Sequence, residues 1–378
     1  MGCIKNFFVI HKSGKIYFSR NFHGDSLDSN LVVGFSSSVS NFCKTLLGEN
    51  IREIVSLKGR IIYKEVGDFM FIAHSDLQTG STAIQSILRD VVGLCEFLFG
   101  SHDYWDEDFF DLKGAQDIVT MLFTKAIQDP STIVNGISQI FLEPEIIERI
   151  DKLLSFLESH DGVCGNGTML ILGDAVLHSR FELHDTRMIL QYHKARPLGG
   201  NAVRYTPAFC SGSWHNLYIV RVQAYVLVLM AYIDKPYSSL QKRIDDFRIS
   251  FAQSRLEIPT EEPPLLLRLF AKRETLAMLY QNIKNGCTIF PQLRPGPDVQ
   301  QKEIFSTFWS FFSDASASMK VPGITEFGIC RDQYRFYARS EGVHKLYILL
   351  STESVNANSV AGIATDILKS VRAHIKVN

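Results

Sequence analysis

The chain has no surplus of charge, no membrane-length apolar run and no paired-cysteine motif, and each absence removes a class of function. Lys and Arg number 39 against 40 Asp and Glu, a formal net charge of −1 over 378 residues. No overall field therefore draws nucleic acid or an anionic membrane, and no nucleic-acid partner is expected. The longest uninterrupted apolar run, Ala224 to Ile233, is far below the roughly 20 residues a helix needs to span a bilayer, and it reads as a buried strand. The 7 cysteines are dispersed, odd in number and without a C-x-x-C pair, which argues against a disulfide framework and a zinc site. They read as reduced, mostly buried thiols of an intracellular protein. Met1-Gly2-Cys3 runs straight into a strand-like segment without a signal peptide's apolar core, so secretion is not expected.

Signatures of catalysis are missing as well. There is no phosphate loop of the G-x-x-x-x-G-K-[ST] type, and Gly162, Gly165 and Gly167 precede a strand, whereas a dinucleotide fingerprint opens a helix. Neither G-x-S-x-G nor H-E-x-x-H occurs. His102-Asp103, His160-Asp161 and His184-Asp185 are neighbours in sequence that no spacing rule assembles into an acid-base or metal site, and surface or capping roles suit them better. The expectation is a protein that is not an enzyme, with no catalytic residue, cofactor or metal.

What is present is a repeated hairpin. Lys5 to His11, the turn Lys12-Ser13-Gly14 and Lys15 to Arg20 alternate apolar and polar residues about a Gly-containing turn, the strongest short-range signal for paired strands. Similar hairpins return at Thr168 to Arg180 and between Thr325 and Leu350, each with helical sequence beside it. In the first module, strand-like runs at Ile51 to Leu57, Arg60 to Val66 and Phe69 to His74 precede a helix from Thr82 to Phe99. In the second, a helix from Glu145 to Glu158 leads, 161–167 and 197–213 read as loops, and strands follow at Trp214 to Val222 and Ala224 to Ile233. In the third, Leu265 to Ile283 reads as helical or mixed, then come an aromatic helix from Glu303 to Ser318 and the last three strands. The fold class is α/β (α+β), with three domains at 1–129, 130–258 and 259–378. The Pro-rich stretch Ile258 to Pro264 marks the clearest boundary.

Two segments bear on binding. His102 to Asp111 interleaves Tyr104, Trp105, Phe109 and Phe110 with carboxylates; aromatics folded onto the core and charges in water explain it better than an acidic docking patch. In the helix Leu31 to Leu47, Val32, Phe35, Val39, Phe42 and Leu46 recur at helical spacing and read as the core stripe. Ser36, Ser37, Ser40, Asn41 and Lys44 stand opposite. Such a small face suits either solvent or close approach of another element. With Ile51 and Ile54 of the adjacent strand, Ser37, Ser40, Asn41 and Lys44 are the candidate partner-binding site, an edge strand being a surface that natural sheets cover or blunt.

The plan of two strands, a helix, three strands and a helix, met three times, resembles the longin domain. Lys64 to Ala73, Thr168 to Arg180, Arg204 to Met230, Gly342 to Leu350 and Ser359 to Val371 carry a resemblance to the Fuzzy family of planar cell polarity effectors. The Rab-activating trilongin families of late endosomes and lysosome-related organelles fit much of the same pattern. The resemblance implies three longin-like domains, each a five-stranded, mainly antiparallel sheet flanked by helices. It implies a non-enzymatic subunit that pairs with an Inturned-like longin protein, joins a WD-repeat planar polarity effector and engages a Rab-like small GTPase. Such a subunit would sit in the cytoplasm at the cytoskeleton of the ciliary basal body, support intraflagellar transport and cilium assembly, and meet membranes only peripherally, through its complex. The related families imply instead a subunit of a guanine-nucleotide exchange factor in vesicle trafficking.

Overall fold

The computed structural model describes residues 4–23, 27–77, 80–105, 112–125, 129–140, 142, 144–199, 203–254, 256, 275–290, 298–331, 333–352, 355–356 and 359–374. They form two compact units, one of residues 1–135, 188–197 and 207–215, the other of residues 136–187, 198–206 and 216–378.

The first sheet contains β1 (Ile4–His11), β2 (Ile16–Asn21), β3 (Glu53–Ser56), β4 (Gly59–Val66) and β5 (Phe69–Ser75), in the order β2-β1-β5-β4-β3. All its pairings are antiparallel. The crossover helix α1 (Ser29–Phe42) joins the two edge strands, β2 and β3, and α2 (Ser81–Phe99) follows β5. The central strands β1 and β5 are buried along most of their length because both faces are covered. Phe8 and Ile10 turn towards α1, while the Phe7 ring lies 4.5 Å from that of Phe123 in α3 (Gln116–Lys125).

After a short helical turn, α4 (Pro130–Ile133), come β6 (Ile137–Ser138) and α5 (Pro144–Glu158). The second sheet is β8-β7-β11-β10-β9, built from β7 (Val163–Leu172), β8 (Ala175–Ser179), β9 (Val203–Cys210), β10 (Ser213–Val222) and β11 (Tyr225–Ala231). Here α6 (Leu183–Ala195) is the crossover and α7 (Tyr237–Gln253) the closing helix. The third sheet takes β12 (Thr275–Asn282), β13 (Cys287–Ile289), β14 (Glu326–Cys330), β15 (Tyr334–Glu341) and β16 (His344–Ser351), with α8 (Asp298–Ser318) as crossover and α9 (Val360–His374) at the end. Its order is β14-β15-β16-β12-β13-β6, the same connectivity with β6 added in parallel beside β13. The architecture is therefore mixed α/β with three sheets in which antiparallel pairing dominates.

Several readings of the sequence are corrected. Residues 163–167 belong to β7 and not to a loop: Val163 pairs with Ala231 and Thr168 with Leu229 across a register shift, a bulge in which Asn166 has a φ of 57°. Residues 203–210, read as loop, form the edge strand β9; Pro207 is tolerated at an edge because its missing N–H breaks no central ladder. Thr275 to Asn282, read as helical or mixed, is a strand buried at nearly every position, and such continuous apolar runs cannot be told from buried helix by periodicity. Residues 265–274 of that stretch, the linker 258–264, Met1 to Cys3 and residues 106–111 lie outside the described residues. The 6 described cysteines are free thiols.

Candidate protein-interaction face

Asp28 caps α1, its carboxylate accepting from the Asn30 N–H at 2.9 Å, an arrangement that satisfies one of the orphan amides of a first helical turn. The helix continues as a π-helical turn over Cys43–Leu47 and stops at Gly48, whose φ of 67° is favourable only for a residue without Cβ. Within this frame the helix is turned differently from the periodicity reading. Ser36 is 0% exposed and Ser40 3%, so the small residues face the sheet. Val32, Val33, Val39 and Cys43 flank them against Phe8, Ile10, Ile51, Tyr63 and Ile72. Burial pushes the Tyr63 phenol above its ordinary pKa.

Glu65 of β4 fixes this orientation. Its carboxylate accepts from the Ser40 hydroxyl at 2.7 Å and meets the Lys44 ammonium at 2.6 Å, with the Glu65 side chain only 10% exposed. Hydrogen bonds to a charged group are the stronger kind, and this pair ties the last turns of α1 to the sheet. The outcome is an unpartnered stripe on the opposite side. Leu31 is 72% exposed, Phe35 48%, Phe42 58% and Leu46 66%, spaced by four, seven and four residues and so on one helical face. Leu47 adds to it, and on the edge strand β3 and its turn Val55 and Leu57 are exposed as well. Strand β3 pairs with β4 alone among the described strands.

The six candidate residues therefore part company. Ser40 and Ile51 are buried inside the module, and Ser37 and Ile54 are half-buried, Ile54 packing on the core. Only Asn41 and Lys44 are exposed, and Lys44 is engaged by Glu65. The premise that Ser40 faces outward is corrected: packing a helix closely on a sheet needs small side chains, and Ser36 and Ser40 supply them. Sequence reasoning missed Phe35, Phe42 and Leu46 as surface residues because an apolar stripe is ordinarily core. The Ser36, Ser40 spacing beside it was the available signal.

Two of the histidines singled out in the sequence make local hydrogen bonds. His160 Nδ1 accepts from the Gly162 N–H at 3.0 Å, and His102 Nδ1 lies 2.6 Å from Glu96. Among the described residues no group of His, Cys, Asp and Glu could hold a metal ion, and no helix is long and apolar enough to cross a membrane.

No family model matches the chain, and no curated protein is similar to it. Among solved structures, a Roadblock/LC7 domain from Streptomyces avermitilis is similar over 31% of this chain and 100% of that domain, at 16% identity and a TM-score of 0.22. A likeness of this size carries no argument about function.

Proposed function

We propose that the chain is a non-enzymatic binding subunit whose first sheet module pairs with a longin-like domain of another chain through the outer stripe of α1 and the edge strand β3. The observation that carries this reading is the stripe itself. Leu31, Phe35, Phe42, Leu46 and Leu47, with Val55 and Leu57 near an open strand edge, are the composition of an interface core: large apolar side chains for burial and free backbone groups for strand addition. Solvating large exposed apolar side chains is unfavourable, and on soluble proteins clusters of them mark association sites.

The finer assignment follows the family resemblance. The partner is an Inturned-like longin protein, and the pair joins a WD-repeat effector and engages a Rab-like small GTPase at the ciliary base, in support of intraflagellar transport and planar polarity. No catalytic group is required for such a role, because a shaped surface that binds one switch conformation of a GTPase shifts its population.

The test is co-purification of the full chain carrying Phe42→Glu with Leu46→Glu. Both positions are exposed, so the thermal melt should match wild type. Recovery of a co-expressed Inturned-like partner should fall by about tenfold or more, the effect of losing ~2 kcal/mol from an interface centre. Undiminished recovery at an unchanged melt would place the interface elsewhere. Capture of a late-endosomal longin protein in its stead would move the assignment to the related Rab activators.

A further inference from the structure

The second and third sheets have separate cores. One groups Ile150, Leu154, Tyr218, Leu227 and Phe247 with their neighbours, the other Met278, Tyr280, Ile348 and Leu368 with theirs, and no residue belongs to both. Among the described residues, 136–140 hydrogen-bond to both. On one side β6 pairs with β13, Ile137 opposite Cys287 and Ser138 opposite Thr288, and the Ile137 N–H donates to the Gly286 carbonyl at 2.7 Å. On the other side Gln139 bridges in parallel to Val176 of β8, and the Ile140 N–H donates to the Val176 carbonyl at 3.1 Å. A strap of five residues thus lies between the free edges of two sheets.

Side-chain packing backs this joint unevenly. Ile137 is buried and Ile140 packs on the second core, whereas Ile137, Gln139, Val176, His178, Lys284 and Cys287 line a pocket of about 580 Å³ beside the strap. Apart from the strap, Leu183 against Gly286 is a side-chain contact across the seam. The strap itself is closely fitted at one point: a Cβ on Gly136 would overlap the Thr288 hydroxyl, and Thr288 is 4% exposed with no room to withdraw.

We infer that residues 136–140 are a latch: the strap opens as a unit and separates the second sheet module from the third while both cores stay folded. Cooperative units in a native protein open at free energies set by their own buried contacts. Here the cores are large and apolar, whereas the joint is a few backbone hydrogen bonds and two isoleucine side chains beside a pocket. A latch of this kind is a place where a partner that binds the opened form shifts the arrangement of the two modules.

Native-state hydrogen exchange on the full chain tests this. In wild type, the amides of Ile137 and Ile140 should exchange together and roughly a hundredfold or more faster than those of the central strands β11 and β16. Exchange of the strap at the rate of the central strands would overturn the latch. In Gly136→Val the strap should lose its protection while β11 and β16 keep theirs. Gly165→Ala, at a position with open space around its Cβ, should leave all of these amides unchanged. If Gly136→Val instead abolished protection in either core, the strap would be part of a single cooperative fold and the inference would fail.

Discussion

Asp129 shows how a single carboxylate can hold several parts of the first unit together. It accepts from the Ser131 N–H at 2.9 Å and hydroxyl at 2.6 Å at the head of α4, and its other oxygen meets Lys194 at 2.6 Å. Burial alone would raise its pKa, but Lys194 and Ser131 together hold it below the usual carboxylate range. A carboxyl depressed in the folded state contributes stability that is present above its unfolded pKa of about 3.9 and lost as pH falls through the lower folded value. Asp129→Asn should therefore destabilise by roughly 2 kcal/mol at neutral pH. That is less than the ~3–5 of a fully buried pair, because Asp129 keeps 26% of its exposure and Lys194 10%. Denaturant melts at pH 7 and pH 2.5 are the measurement: the gap between variant and wild type should narrow at the lower pH, and a constant gap would assign the loss to packing. Arg196 and Asp117, bidentate but far more exposed, belong to the class of pairs worth ~1 kcal/mol or less.

At the scale of the element, α1 shows why orientation outweighs periodicity. The helix carries two candidate inner faces about a third of a turn apart, one of Phe35, Phe42 and Leu46 and one of Ser36 and Ser40, with Val32 and Val39 shared between them. Close approach to the sheet and the Glu65 clamp select the small one. Ser40→Arg should consequently unfold or strongly destabilise the first module, since even beside Glu65 a long side chain has no room in a site that is 3% exposed. Ser40→Ala should cost about 2 kcal/mol for the lost hydrogen bond to a charged carboxylate. Chemical denaturation of both variants checks this. An Arg variant as stable as wild type would mean that the helix can rotate its small face outward. The same logic explains the strand edges. β3 and β9 are short or Pro-containing edges read correctly or missed according to the turn residues around them, because an edge strand has only one ladder to constrain its sequence.

At the scale of the whole molecule, the three sheets share one connectivity, with the first and last strands of each module paired to each other and the second and third flanking outward, at the edges in the first two sheets and with β6 beyond β13 in the third. A crossover helix joins the second strand to the third in every copy. A scaffold of this kind offers strand edges and helix faces, and the proposed role needs no bound nucleotide. Calorimetry with ATP, GTP and NAD on the full chain should give no binding heat, and micromolar binding of any of them would overturn the non-enzymatic reading.

Hairpins, meanders and most helices were legible in the sequence, because a Gly turn between alternating runs and an apolar stripe at helical spacing are local consequences of backbone geometry. The triplicate plan followed from the order of those elements. Three things were settled only in three dimensions. The inner face of α1 depended on Glu65, a residue 25 positions from Ser40. The strand at Thr275 to Asn282 depended on partners on both sides, β13 and β16. The joining of the second and third modules depended on residues 136–140, a segment with no strand signature of its own, which pairs because two distant sheet edges present unsatisfied backbone groups to it.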